Sequence, residues 1–456
     1  MLYKNIYALT LFFLLGGCAN LPNERVEREV GKLAEEQGAG KISWRRTKEA
    51  DNAVKALIND ALSAGLKPDD SAQLALLSNP DLQVHFETLG IERADYLSAA
   101  SAPNSVLQWQ RLTQSGVDGA AVEWGLTRNI LQLILWPTNR RVAKLDMDGA
   151  QLRAADEVVK LALRTRTEHM HALAQQHIVE LQAAHTDLAR LAFELAGRFR
   201  EAGNLPLGEL EEERTRWMEA RRALDEEKLQ SFNDELNLSR TLGILGLGNE
   251  LKLRGQLSEL PEKELSLLDL ERLALQRRLD LRAAYQSTKA RLVRLGSVRW
   301  ARFTPSIEVG TTTAKEDNGS QTSGLTASLE LSLFSQQEAS LAASDSLARL
   351  AMRRAESLAM DVRVQVRQAQ AEMAVARARV EAWKNEVIPA RAVLVDNRVR
   401  EFFFMLKGPF DPMRAKQAAL EAEIEYTRAL RDYWEARARL ALATGDLSLS
   451  IAEKMT

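Results

Sequence analysis

Internal duplication constrains this chain more than any other feature. The segment Leu76-Leu77-Ser78-Asn79-Pro80-Asp81-Leu82 returns as Leu275-Gln276-Arg277-Arg278-Leu279-Asp280-Leu281, and Leu133-Ile134-Leu135-Trp136 returns as Leu331-Ser332-Leu333-Phe334. Each copy reads helix, strand, strand, very long helix, tight turn, helix, so the fold class is mainly α with a small β part. A pair of strands per copy leaves sheet edges without partners. Further copies of the same chain must complete the sheet.

Strands are predicted at about 104–136 and 304–334. In the first, Val122, Trp124 and Leu126 alternate with Glu123, Gly125 and Thr127; in the second, Leu325, Ala327, Leu329, Leu331 and Leu333 alternate with Thr326, Ser328, Glu330 and Ser332. This period of two gives one apolar and one polar face, and the first hairpin is the more weakly patterned. Trp136 and Phe334 stand where strand passes into helix, with Trp300 and Phe303 before the third strand. Those places suit an aromatic belt at a membrane boundary, with core packing as the alternative. No apolar run is long enough for a membrane-spanning helix, so any crossing falls to strands.

Long helices are predicted at about 138–201 and 336–404, the second containing Pro389. At 1.5 Å per residue the first makes a rod of roughly 95 Å. Leu152, Ala155, Val159 and Ala162, and Val362, Val366, Ala369, Met373, Ala376, Val380, Trp383 and Val387, step by threes and fours as narrow coiled-coil seams. Turns containing Gly203 to Pro206 and Gly408 to Pro412 then reverse the chain into shorter returning helices. In the first copy, the helices predicted over 72–100 and 207–245 together match the long one in length, so they can stack end to end beside it.

The chain opens with Lys4, an apolar run from Ile6 to Leu15, then Gly16 and Gly17, which is the layout of a cleavable signal over 1–17. Leu15-Gly16-Gly17-Cys18 resembles the bacterial lipoprotein box, in which the cysteine carries lipid such as palmitate. Cys18 is the single cysteine, which excludes disulfides within the chain and thiolate metal clusters. The remaining boundaries are a lead-in over 18–70, a first repeat over 71–248, a linker over 249–270, a second repeat over 271–448 and a tail over 449–456.

Little here suggests reaction chemistry. A formal net charge of -2, with no long basic run, argues against a nucleic-acid partner. His169, His171, His177 and His185 do not form an i, i+4 ligand pair and read as a solvated helix face, so no metal site is expected. Gly243 to Gly248 reads as a helix terminus, and Glu211-Glu212 and Glu226-Glu227 as salt-bridged surface. No nucleophile stands with a matched base. The expectation is a protein that is not an enzyme and needs no cofactor.

Taken in order, Ala75 to Leu82, its echo Leu279-Asp280-Leu281, Trp136-Pro137-Thr138-Asn139-Arg140-Arg141, Arg198-Phe199 to Gly203, and Phe303-Thr304-Pro305-Ser306-Ile307 resemble the outer membrane factor (TolC) family, in particular its lipoprotein branch. The resemblance covers nearly all of the chain after Cys18. It implies a homotrimer forming a twelve-stranded transmembrane β-barrel joined to a long periplasmic α-helical barrel, in contact with outer-membrane lipid. It further implies a lipid-anchored channel of the outer membrane, passively conducting substrate from an inner-membrane pump and a periplasmic adaptor (membrane fusion protein) in efflux or type I secretion. On the same basis Gly203, Asn204, Leu205, Gly408, Pro409 and Phe410 are adaptor-contact positions, and Asp411 is a carboxylate of the periplasmic entrance. Arg414 departs from the family pattern, standing where another acid is expected. The alternative is a non-conducting coiled-coil lipoprotein scaffold or adaptor, which the two helical hairpins and the lack of compact β domains disfavour.

Overall fold

The computed structural model describes residues 21–113, 120–244, 251–255, 257–261, 266–301, 304, 306–315, 319–330 and 336–450. The signal segment, Cys18, Phe303 and Phe334 lie outside the described residues.

The lead-in holds α1 (Asn23–Glu35) and α2 (Lys48–Ala64), and the first copy then runs α3 (Pro68–Ser78), α4 (Pro80–Ala100), β1 (Val106–Thr113), β2 (Ala120–Asn129), α5 (Ile130–Glu201) and α6 (Leu207–Thr241). The second runs α7 (Leu267–Arg277), α8 (Leu279–Ala301), β3 (Ser306–Lys315), β4 (Gln321–Glu330), α9 (Gln336–Ala382), a π-helical turn (Trp383–Val387), α10 (Ile388–Phe403) and α11 (Phe410–Thr444). Among the described residues, no helix is long and apolar enough to cross a membrane.

The chain divides into two compact units: Met1–Val30, Phe86–Ala154 and Leu279–Met360 form the first, and Gly31–His85, Ala155–Arg278 and Asp361–Thr456 the second. In the first, a 4-stranded antiparallel sheet of order β1-β2-β3-β4 is joined to helical segments that bury Phe86, Leu89, Met147, Leu281 and Leu295. In the second, Val54, Ile58, Leu62, Leu66, Leu74, Leu238 and Leu242 share a core cluster.

The expected helix over 72–100 is broken at Asn79, whose φ of -61 and ψ of 125 are extended. Pro80 accounts for this, because its ring disfavours helical geometry in the preceding residue. The second copy breaks in the same way at Arg278, φ -57 and ψ 123, although Leu279 replaces the proline. Packing holds this second break. Gly445, at φ +69, lies so close that an added Cβ would sit 3.2 Å from the Arg278 Cα. Its counterpart Gly243, at φ +68, packs likewise against Ser78 and Pro80. The returning helices therefore end against the breaks, as matched lengths require.

The long helix of the first copy starts earlier than expected. Positions 130–136 continue no strand: they are the opening turns of α5, a helix of 72 residues that contains Pro137. Asn129 explains the start, since its Oδ1 accepts a hydrogen bond from the Gln132 N–H at 3.0 Å, an N-cap contact. The anticipated seams are buried at Leu152, Ala155, Val159, Ala162, Val362, Val366, Ala369, Met373, Ala376 and Val380. Trp383 and Val387, the last two seam positions expected, are partly exposed. Pro389 follows closely; lacking an N–H and crowding the preceding carbonyls, it favours the wider turn in which the Ile388 N–H donates to the Trp383 carbonyl.

Candidate channel wall and helical turns

The first hairpin is fully formed despite its weak pattern, with Val106 to Thr113 paired against Thr127 to Ala120. The duplication meets itself where β2 pairs with β3, Trp124 standing opposite Thr313 and Leu126 opposite Thr311. The β3–β4 register places Thr311 opposite Leu325 and Ile307 opposite Leu329. Since alternate residues share a face, one face carries Ile307, Val309, Leu107, Leu126, Leu325, Leu329, Trp109 and Trp124. The other carries Gln108, Gln110, Thr127, Thr312, Thr326 and Ser328. Charges follow the same division: Arg111, Arg128 and Lys315 lie on the apolar face, and Glu123, Glu308 and Glu330 on the polar one. Glu123 accepts a hydrogen bond from the Gln110 amide across the first hairpin. Strands of 10 residues in β2, β3 and β4 have the length of a tilted transmembrane strand.

Of the aromatics expected at the helix end of the strands, Trp136 sits inside α5, half-buried, with its Nε1 donating to the Ala100 carbonyl at 3.1 Å. It thus ties α5 to the end of α4. It also lines a cavity of about 1050 Å³, together with Tyr96, Asp146, Arg153, Arg291 and Arg294. Burial raises the Asp146 carboxyl above its ordinary value, opposed by those three arginines. Trp300 is 47% exposed near the end of α8. An aromatic pair missed in the sequence lies midway along the first hairpin: Trp109 and Trp124, 57% and 50% exposed, have ring centroids 6.2 Å apart. The alternation around Trp124 was visible, but pairing it with Trp109 needs the hairpin register.

Both turns of the second unit are built on one hydrogen-bond pattern. At the first, Gly203 (φ +75) donates to the Arg200 carbonyl and Asn204 to that of Phe199. At the second, Met405 (φ 56) donates to Phe402 and Leu406 to Glu401. Each is a helix terminus closed by a left-handed residue. The expected second-turn positions Gly408 and Pro409 follow this left-handed residue at the end of the 404–409 connection and lead into α11. Asp411 caps that start, its Oδ2 accepting from the Gly408 N–H at 3.1 Å. Leu205 is buried, and Phe410 packs edge-on against Phe199 with centroids 6.2 Å apart.

Arg414, where an acid was expected, pairs with Glu213 of α6 at 2.6 Å, and Arg216 reaches the same Glu213 oxygen at 2.8 Å. Glu213 is buried, so these cations stand in for lost water. Arg428 and Glu227 repeat the α11–α6 pairing further along, at 2.5 Å.

The histidines do not form the solvated face expected of them. His169 is fully buried, with its Nδ1 2.8 Å from Ser71 Oγ, and burial lowers its pKa to about 4. His171 and His185 each lie 3.3 Å from a carboxylate of α11, Glu435 and Glu421 respectively, and His177 is exposed beside Glu180. The 3.6-residue period turns His169 inward, sets His171 and His185 toward α11 and leaves only His177 of the four exposed. Among the described residues no group of acids, histidines or cysteines has metal-site geometry.

No family model and no curated relative matches the sequence. Solved structures do match in fold. A membrane protein from Pseudomonas aeruginosa aligns with a TM-score of 0.70 at 16% identity, covering 82% of this chain and 91% of that one. The outer membrane protein VceC of Vibrio cholerae aligns at 0.68 and 12% identity, covering 83% and 96%. The CmeC outer membrane channel of Campylobacter jejuni aligns at 0.67 and 14% identity, covering 97% and 96%. The chain has the fold of outer-membrane efflux channels, the fold implied by its resemblance to the outer membrane factor (TolC) family.

Proposed function

We propose that this chain is the outer-membrane channel component of a tripartite efflux or type I secretion system, passively conducting substrate supplied by an inner-membrane pump and a periplasmic adaptor. The observation that carries this reading is the sheet. It has outer strands at β1 and β4, one apolar face and one polar face. Three copies, each adding 4 strands, would close a twelve-stranded barrel with the apolar face toward lipid and the polar face toward water. The channels named above lend support through their shared fold. Cys18 would bear the lipid anchor, and the turns around Gly203–Leu205 and Gly408–Phe410 would meet the adaptor, with Asp411 at the periplasmic entrance.

Sedimentation in a neutral detergent tests the assembly. The expected protein mass is three times the processed form of the 50.9 kDa chain. A stable single-chain species under those conditions would overturn the reading, because an incomplete barrel leaves β1 and β4 without partners in lipid.

A further inference from the structure

Rows on the apolar face of the sheet form an ordered series toward the hairpin loops. Leu107, Leu126 and Leu325 share one row, Trp109 and Trp124 the next, and Arg111 and Lys315 the one after, flanking Val122. Successive rows are separated by about 7 Å, two residues of strand rise. Aliphatic, then indole, then cation is also the order of a bilayer leaflet: hydrocarbon, amphipathic interface, headgroup phosphate.

Arg128, the remaining cation on this face, is already engaged, donating to the Pro103 carbonyl at 2.7 Å near the helix end. Arg111 and Lys315 are both exposed, and neither has an ion-pair partner among the described residues. They lie on strands separated by β2, about 10 Å apart at the backbone. That spacing suits two phosphate groups of one lipid, or adjacent oxygens approached by long flexible side chains whose stems run over the tryptophans. A water-filled wall would have no reason to keep both cations on the lipid-facing surface while placing Glu123, Glu308 and Glu330 on the other.

We propose that Arg111 and Lys315 form a site for the phosphates of an anionic lipid headgroup, just beyond the Trp109–Trp124 girdle. The site rests on the barrel reading above. It would fix the depth and orientation of the barrel, since a cation displaced into hydrocarbon is costly and one bound to phosphate is not.

The experiment uses the full-length protein purified in neutral detergent, with native mass spectrometry reading the retention of diphosphoryl lipid A against phosphatidylcholine. The wild type should retain the anionic lipid, and R111Q/K315Q should lose affinity about thirty-fold, roughly fivefold for each cation near an anionic surface. R111K/K315R should retain it, and each single variant should fall between. Equal retention by wild type and R111Q/K315Q, in trimers of unchanged mass, would overturn the site and leave the channel reading intact. Displacement of lipid A by inorganic phosphate at equal phosphate concentration would also overturn it, pointing to an anion site indifferent to lipid. A single-chain species in every sample would remove the barrel itself, a result separable by mass from either.

Discussion

In the first copy, the break ahead of α4 is imposed by Pro80 and held by Asn79, whose amide donates to the Thr241 carbonyl at 2.8 Å while its Oδ1 accepts from the Leu82 N–H at 2.9 Å. In the second, the same break has Leu279 for the proline, and Arg278 reaches the Ala443 carbonyl at 3.3 Å and Gln365 at 2.6 Å. The turns diverge similarly, with Gly203 in one and Met405 in the other taking the same left-handed conformation. Duplication has kept the backbone and let the means of holding it drift. Both breaks are packed against a glycine, but the first copy adds a proline and buried amide bonds where the second has exposed polar contacts, so the copies should respond differently to the same insult.

Acid should separate them most. His169 is buried in the first copy, whereas two hundred residues later Ala369 is buried. With the folded pKa of His169 near 4 and an unfolded value of 6.5, the unfolded chain binds the extra proton between these limits. Stability is then complete above the unfolded value and is lost as pH falls toward 4, by about 3 kcal/mol in all. Hydrogen exchange should show α3 and the adjoining stretch of α5 opening before α9. H169L should remove this component of the pH dependence; an unaltered profile in that variant would exclude His169 as its source.

Truncation at the breaks should come next. N79A removes a buried amide and strands the Thr241 carbonyl and Leu82 N–H, at a cost of about 2 kcal/mol. R278A, in the equivalent place but half-exposed, should cost about 1 kcal/mol or less. Urea midpoints compare the two, and equal losses would dissolve the distinction drawn between the copies.

Smallest and opposite in sign are the turns. G203V forces a β-branched residue into left-handed geometry and should destabilise by about 1–2 kcal/mol, while M405G relieves the same strain and should stabilise by about 1 kcal/mol. Thermal unfolding with both variants side by side reads this directly. If M405G destabilises, the exposed Met405 side chain is contributing contacts that the single chain does not reveal.

Much of the architecture was legible because duplication makes each signal appear twice. The alternation of Leu325, Ala327 and Leu329 located β4, and the steps of three and four from Val362 to Val380 located the α9 seam. The strand-to-helix passage near Trp136 was misplaced for a physical reason. An aliphatic run without polar interruption fits either element, and the deciding signal was the single cap at Asn129. Hidden altogether were features created by register or by distant segments. The Trp109–Trp124 pair, the Glu213–Arg414 bridge and the inward turn of His169 depend on neighbours far away in sequence.

The π-helical turn at Trp383–Val387 has a consequence for the exposed stretch Phe402-Phe403-Phe404-Met405-Leu406. One residue inserted into a helix advances everything beyond it by about 100° around the axis. The bulge therefore works as an angular setting: upstream, the Val362–Val380 stripe stays against its neighbours, while downstream the aromatic end points along a bearing that α-helical phasing would not give it. Removing one residue there would leave α9 in place and swing those aromatics to another compass direction.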